Sequence, residues 1–171
     1  MGYAGGTSQD PTYRNMGNHT ETFQIDFDPE EISYDEILQV FWDNHNPFSR
    51  TWSRQYMSIL FYHNEDQKAA AFKSKEVLES KMKAEIATEI VPFSDFYLAE
   101  DYHQKYYLQA RPDLSAEIEA YYPDFKGFID STAAARLNGL VAGYGNRELV
   151  KAEVESYGLS PEGIELLESM Y

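Results

Sequence analysis

The 171-residue sequence contains no cysteine. That single absence excludes disulfides, thiolate metal sites and cysteine nucleophiles together, and it suits a cytoplasmic protein. Long hydrophobic runs are also missing. Nothing approaches the ~18 consecutive apolar residues of a membrane-spanning helix, and the N-terminus lacks the basic-then-apolar pattern of a signal peptide. Basic residues are scarce, 14 Lys and Arg against 29 Asp and Glu, for a net charge of −15. A chain this acidic is a poor partner for nucleic acid or anionic membranes, where a basic face supplies most of the binding. Its charge reads more simply as solubility. No internal repeat or low-complexity tract is present.

What the chain does have is aromatic weight: 14 Tyr, 10 Phe and 43% hydrophobic residues overall. That argues against disorder, and the length fits one domain, or one domain with a small helical extension. Residues 1–20 are rich in Gly, Asn, Thr and Tyr and read as loop. The alternation over Glu21–Phe27 predicts a half-buried strand. Ser33 with Glu36 forms a capping-box signal for a helix that buries Ile37, Leu38, Phe41 and Trp42 and ends near His45, before Asn46-Pro47. Tyr56–Tyr62 is short and nearly all apolar, as a strand buried on both faces would be. Asn64 with Gln67 starts a long Lys- and Glu-rich helix to about Lys83. A third strand is expected over Glu85–Val91, and a helix holding Glu100, Tyr102, His103 and Tyr106 before Pro112. From Asp113 strand signals vanish and short helices follow. One is capped by Asn146 and ends at Gly158; another opens at Ser160-Pro161. A boundary is expected at 112–115.

Several side chains could carry chemistry, and each has a plainer reading. Glu21, beside His19, could be a general acid or base, or a surface carboxylate at a strand start. The hydroxyls of Tyr3, Tyr13 and Tyr56 could donate to a ligand oxygen, or be wet tips of packed rings. His45 and His103 lack metal-binding spacing and read better as structural histidines. Trp52, between Arg50 and Arg54, could line a ligand slot or pack on a guanidinium.

Taken in order, the motifs form a pattern. Gly2-Tyr3-Ala4-Gly5-Gly6, Pro11-Thr12-Tyr13, His19-Thr20-Glu21, Phe27-Asp28-Pro29, Ile32-Ser33-Tyr34, Phe41-Trp42, His45-Asn46-Pro47, Gln55-Tyr56, Thr88-Glu89-Ile90 and the run Phe96 to Gln104 follow one another. Over residues 2–112 the chain resembles the peptide-methionine (S)-S-oxide reductases, methionine sulfoxide reductase A. The resemblance implies an α+β, ferredoxin-like two-layer sandwich, with residues 113–171 as a helical extension. It implies thiol-dependent reduction of methionine (S)-sulfoxide, free or in proteins. A thiolate attacks the sulfur, and the leaving oxygen must gain protons from donors beside it. Glu21 falls at the family's oxygen-binding carboxyl, raised in an enclosed pocket so that it can donate a proton. Tyr3 and Tyr56 fall at its two supporting hydroxyls. No bound cofactor or metal is implied; a thioredoxin-like thiol supplies the electrons, and a monomer is expected.

Departures from the family pattern matter as much. Its nucleophile lies in a Gly-Cys-Phe-Trp-Gly segment upstream of the Tyr3 motif, and this sequence has nothing there. It therefore also lacks the Phe and Trp that grip the substrate methyl. Ser49-Arg50-Thr51-Trp52-Ser53-Arg54 replaces a Gly-Asn-Asp-rich loop, so no site aspartate can be assigned, and no resolving cysteine follows. The intact remaining motifs favour an N-terminally truncated chain, inactive as it stands, over a relative that has lost catalysis and only binds methionine sulfoxide or a protein partner. The first strand and helix of the sandwich would then be missing, leaving Phe23, Ile25, Phe27, Ile59 and Phe61 with less cover. Each large side chain left exposed forgoes about 1.5–3 kcal/mol against a native margin of about 5–15 kcal/mol, so marginal stability or aggregation is expected.

Overall fold

A computed structural model describes all of residues 1–171, and by its internal contacts the chain divides into two compact units, Met1–Ala99 and Glu100–Tyr171. The first is built on five short strands: β1 (Gly2–Ala4), β2 (Thr20–Thr22), β3 (Ile59–Tyr62), β4 (Glu89–Pro92) and β5 (Phe96–Leu98). β1 is the middle strand of an antiparallel sheet ordered β2-β1-β5. β3 and β4 pair in parallel, which requires a crossover between them. Helix α2 (Glu65–Met82) is that crossover. Its N-cap is Asn64, whose side chain accepts from Gln67 N–H, and it ends on Lys83 in the left-handed region at φ 53°.

Helix α1 (Tyr34–Asp43) starts on a complete capping box between Ser33 and Glu36. It buries Leu38 and Trp42 against Ala71 of α2 and Ile86, and the Trp42 indole N–H donates to Ser74 Oγ at 2.9 Å. This explains how so polar a helix as α2 is held: Ala71 is its one fully buried residue, with Ala70 and Leu78 packed on the same core and Ser74 taking the Trp42 hydrogen bond. A smaller cluster joins Tyr3, Met16 and Ala99, with Tyr97 packed beside it.

Two strands fall where none was expected: β1 lies in the stretch 1–20 that reads as loop, and β5 follows the last expected strand. The three that were expected are all shorter than their sequence patterns. The stretch expected as a strand over 21–27 keeps strand pairing only at Thr20–Thr22. No partner lies beside the rest, so Phe23 is 61% and Ile25 53% exposed; Phe27, Ile59 and Phe61 are half-buried. The strand expected over 56–62 begins only at Ile59, because Arg54–Tyr56 form a 3-10 turn, and it is half-buried throughout rather than buried on both faces, since β4 is its one strand neighbour. The strand expected over 85–91 begins at Glu89.

The second unit is helical: α3 (Tyr106–Gln109), α4 (Pro112–Glu119), α5 (Phe125–Asp130), α6 (Thr132–Val141), α7 (Arg147–Glu153) and α8 (Pro161–Glu168). The single helix expected between Glu100 and Pro112 is instead a 3-10 turn, Asp101–His103, followed by α3. Lys105 at φ 46° breaks the two apart. The boundary expected at 112–115 falls inside this unit, at the start of α4; the division comes earlier, between Ala99 and Glu100, because Leu108 of α3 already packs in the helical core. Side chains of Asp124, Ser131, Asn146 and Ser160 cap α5, α6, α7 and α8, and α7 continues as a 3-10 turn that closes on Gly158 at φ 75°. One core of Leu108, Leu114, Ile118, Phe128, Leu137, Leu140, Val150 and Leu167 joins all six helices. No helix in the chain is long and apolar enough to cross a membrane.

Tyr157 is buried in this unit and donates to Glu153 Oε2 at 2.5 Å, where Arg136 also donates. Burial, then the bond to Glu153, push its hydroxyl from 10.0 up to about 12. The folded state therefore keeps a proton that the unfolded chain gives up near pH 10. That stabilisation is full below pH 10 and is lost as pH rises through about 12. Alkaline unfolding followed by circular dichroism should be less pH-dependent over this window in Tyr157→Phe; an unchanged slope would refute the linkage.

Candidate functional site

The arrangement around Glu21 starts from strand register. Tyr3 of β1 sits opposite Glu21 of β2 on one side and Tyr97 of β5 on the other. Directly opposed residues of an antiparallel pair share a face, with Cβ atoms about 4.5–5.5 Å apart. Tyr3 is 1% exposed, whereas Glu21 is half-buried. The sheet thus brings a buried phenol and a partly accessible carboxylate to one place.

Tyr56 reaches the same place by another route. The 3-10 turn Arg54–Tyr56 is tied to β2 by Thr20 Oγ1, which donates to Arg54 O at 2.8 Å. The Arg54 side chain turns inward, to Gly5 O at 3.3 Å and Glu89 Oε2 at 3.1 Å. It thereby fastens the turn to the loop after β1 and to the start of β4. Gly5 takes φ +74°, and a Cβ there would lie 2.7 Å from the Phe61 ring, so the loop can pass only as glycine. With the turn fixed, Gln55 Nε2 donates to Glu21 Oε1 at 2.7 Å and to the Tyr56 hydroxyl at 3.0 Å. Tyr56 in turn hydrogen-bonds Tyr13. That bond is the main cause that lifts the Tyr56 hydroxyl above the usual phenol range; partial desolvation and the charges of Tyr13 and Glu21 add to it, and the Gln55 bond opposes it.

Of the candidates named from sequence, Glu21, Tyr56 and Tyr13 are therefore joined through Gln55 and the tyrosine pair, and Tyr3 stands across the sheet from Glu21; the others are not part of this group. His19 is buried and supports the loop: Gly6 N–H donates to Nδ1 at 3.1 Å, so the ring proton is on Nε2, which donates to Ser8 O at 2.8 Å. His45 hydrogen-bonds Phe41 O and Thr88 Oγ1, joining the end of α1 to the approach to β4. His103 lies in the 3-10 turn of the helical unit against the Tyr102 ring. Trp52 fits neither reading made of it: it is fully exposed and stacks on neither neighbouring arginine, since Arg54 turns inward and Arg50 reaches the exposed Glu85. The contributions of Gln55 and of the inward Arg54 went unread in the sequence. Gln55 showed there only as the neighbour of Tyr56, and its side chain meets Glu21 through tertiary structure alone.

A half-buried carboxyl flanked by two phenols and a neutral amide can bind a strongly polarised neutral oxygen and hand it a proton. The family described as peptide methionine sulfoxide reductase matches residues 1–132. A second, the helical domain of selenoprotein methionine sulfoxide reductase A, matches residues 127–170. A peptide methionine sulfoxide reductase of Drosophila melanogaster is 46% identical over 163 residues, covering 94% of this chain and 65% of its own length. The Methanosarcina acetivorans peptide methionine sulfoxide reductase MsrA is 47% identical over 118 residues, 63% of each chain. The chain thus spans less than two-thirds of the length of these relatives. Among solved structures, Mxr1 of Saccharomyces cerevisiae in reduced form superposes with a TM-score of 0.59 at 30% identity, over 65% of this chain and 69% of that one. Methionine sulfoxide reductase A of Corynebacterium diphtheriae superposes with a TM-score of 0.53 at 27% identity, over 65% of this chain and 62% of that one.

Proposed function

Because this chain belongs to the peptide methionine sulfoxide reductase family, we propose that its Glu21 face is the oxygen-binding side of a peptide-methionine (S)-S-oxide reductase site. The reaction is reduction of methionine (S)-sulfoxide, free or in proteins, to methionine. Overall, a thiol and the sulfoxide become a sulfenic acid and a thioether, the oxygen passing from one sulfur to the other; a second thiol then gives a disulfide and water. In this reading Glu21 protonates the sulfoxide oxygen as its bond to sulfur weakens. Tyr3 and Tyr56 donate hydrogen bonds to the same oxygen, where negative charge accumulates. The electrons come from a thioredoxin-like or other thiol donor, with no bound cofactor. The same reading takes the α+β unit as ferredoxin-like and the residues from 113 onward as a helical extension.

The observation that carries the proposal is the linkage of Glu21 to Tyr56 through Gln55, with Tyr3 directly across the sheet. Glu21 and the Tyr56 hydroxyl are thus held by one amide, and Tyr3 is the cross-strand neighbour of Glu21. The attacking thiolate is not among these 171 residues, which contain no cysteine. These residues therefore bind and polarise the oxygen, and do not by themselves complete the reaction.

The test is a sulfoxide peptide, supplied as separate S and R epimers, incubated with the 171-residue protein and dithiothreitol. Mass spectrometry should find no methionine formed above the protein-free control. Titration should find saturable binding of the S epimer, weakened about tenfold or more in Glu21→Gln and Tyr56→Phe, as loss of a charged or near-charged hydrogen bond predicts. Stoichiometric reduction without cysteine would overturn the mechanism. Equal affinity for the two epimers, or none for either, would overturn the site.

A further inference from the structure

We infer that Gln55 is the positioning residue of this site: its one amide nitrogen holds the Glu21 carboxyl and the Tyr56 hydroxyl together and so fixes which edge of each faces an incoming sulfoxide oxygen. The choice of reaction rests on the function proposed above; the bridge itself does not.

The geometry is restrictive. A primary amide nitrogen carries two N–H bonds in one plane and no acceptor. Both of Gln55's are used, one on Glu21 Oε1 at 2.7 Å and one on the Tyr56 oxygen at 3.0 Å. With Oε1 engaged, the proton that the carboxyl gives to a substrate sits on Oε2. With the Tyr56 oxygen accepting from Gln55, the phenol's own O–H is directed away from the amide. Without ligand it pairs with Tyr13; a sulfoxide oxygen beside Tyr56 takes that O–H in place of Tyr13. One amide therefore sorts the donors and acceptors of two groups.

The backbone supports this assignment. Thr20 and Glu21 are consecutive on β2, and Arg54 and Gln55 are consecutive in the turn. Thr20 Oγ1 is tied to Arg54 O, and Glu21 to the Gln55 side chain, so two adjacent cross-links join the same two segments. The turn is further closed by Tyr56 N–H to Ser53 O and Met57 N–H to Arg54 O. Gln55 thus starts from a fixed Cα, and its side chain has little freedom left.

The residue type fits as well. A lysine here would pair with Glu21 and hold it charged, opposing proton donation. A glutamate would repel it. A glutamine donates twice without adding charge.

The experiment uses the full 171-residue chain, labelled for side-chain amide NMR. Glu21→Gln should move one of the two Gln55 Nε2 proton resonances and Tyr56→Phe the other. Gln55→Met keeps length without a donor. It should weaken binding of an S-sulfoxide peptide about tenfold or more, leave the backbone amide spectrum unchanged outside the turn and β2, and shift the Tyr56 titration to higher pH, since a bond that lowers it is gone. Combined with Glu21→Gln it should cost no more than either change alone, because residues of one network do not add. Gln55→Asn, one methylene too short to reach both groups, should behave as Met does. Strictly additive losses, full binding in Gln55→Asn, or an unmoved pair of amide protons would each refute the bridge. If wild-type protein binds no sulfoxide, the proposed function fails, while the two amide-proton shifts still decide for or against Gln55.

Discussion

Replacing Phe128 by Ala should unfold the helical unit near physiological temperature. Phe128 is wholly buried at the centre of the core shared by all six helices, with the Phe125 ring 5.2 Å away. Large-to-small changes at such sites cost about 3–5 kcal/mol, the sum of lost transfer energy and the cavity left behind. That is from about a fifth to all of a native margin of about 5–15 kcal/mol, and a helical unit of this size sits toward the small end of that range. Nothing local can compensate: α5 is six residues long, and helices that short do not persist without tertiary packing. The expected fall in the thermal midpoint of the helical signal exceeds about 12 °C, at about 4–8 °C per kcal/mol for a unit of this size. Phe128→Leu, which keeps most of the volume, should cost less than half as much. A midpoint within a few degrees of wild type for the Ala variant would show that this core is not what holds the helices.

The second large effect is expected at Gly2. A Cβ there would lie 2.3 Å from the Phe96 ring and 2.5 Å from Tyr97 O. The ring can turn aside, but the carbonyl is backbone of the neighbouring strand and cannot. Gly2→Ala must therefore push β1 and β5 apart, at about 1–3 kcal/mol for the overlap together with the strand hydrogen bonds it breaks. Because β1 is central and carries Tyr3 opposite Glu21, the same change should abolish S-sulfoxide binding along with stability. Gly139→Ala is the control. Nothing lies within 4 Å of that Cβ, and alanine in place of a mid-helix glycine should stabilise α6 by about 0.5–1 kcal/mol. If Gly2→Ala binds and melts like wild type, the close pairing of β1 with β5 is refuted.

What could be read from the sequence was whatever is encoded locally. Ser33 with Glu36, Asn64 with Gln67, Asn146 and Ser160-Pro161 all mark helix starts because a cap is a contact between residues two or three apart. Strand ends were harder. Glu21–Phe27 alternates as a strand does, but a strand also needs a partner to take its backbone groups, and that is a property of the rest of the molecule. Beyond Thr22 no partner is present, and Phe23 and Ile25 face solvent. The same limit applies at the site. Glu21, Tyr3 and Tyr56 could be named because their order along the chain resembles a family, and Tyr13 because a loop hydroxyl is always a candidate. The grouping itself depends on a strand register and on a turn pinned by Thr20 and Arg54, which no spacing rule contains. Trp52 shows the converse: flanking arginines suggested a stacked ring, and the inward turn of Arg54 removed one of the two cations it needed.

The central position of β1 also sets an order of events during synthesis. Its edge toward β2 can be satisfied as soon as Thr22 has left the ribosome, whereas its edge toward β5 must wait for Phe96–Leu98. In the interval α1, β3, α2 and β4 are all laid down. The β2-β1-β5 sheet is thus the last part of the first unit to close, held back by the longest loop in it. Until then the Gly2–Ala4 edge is an open template for another strand.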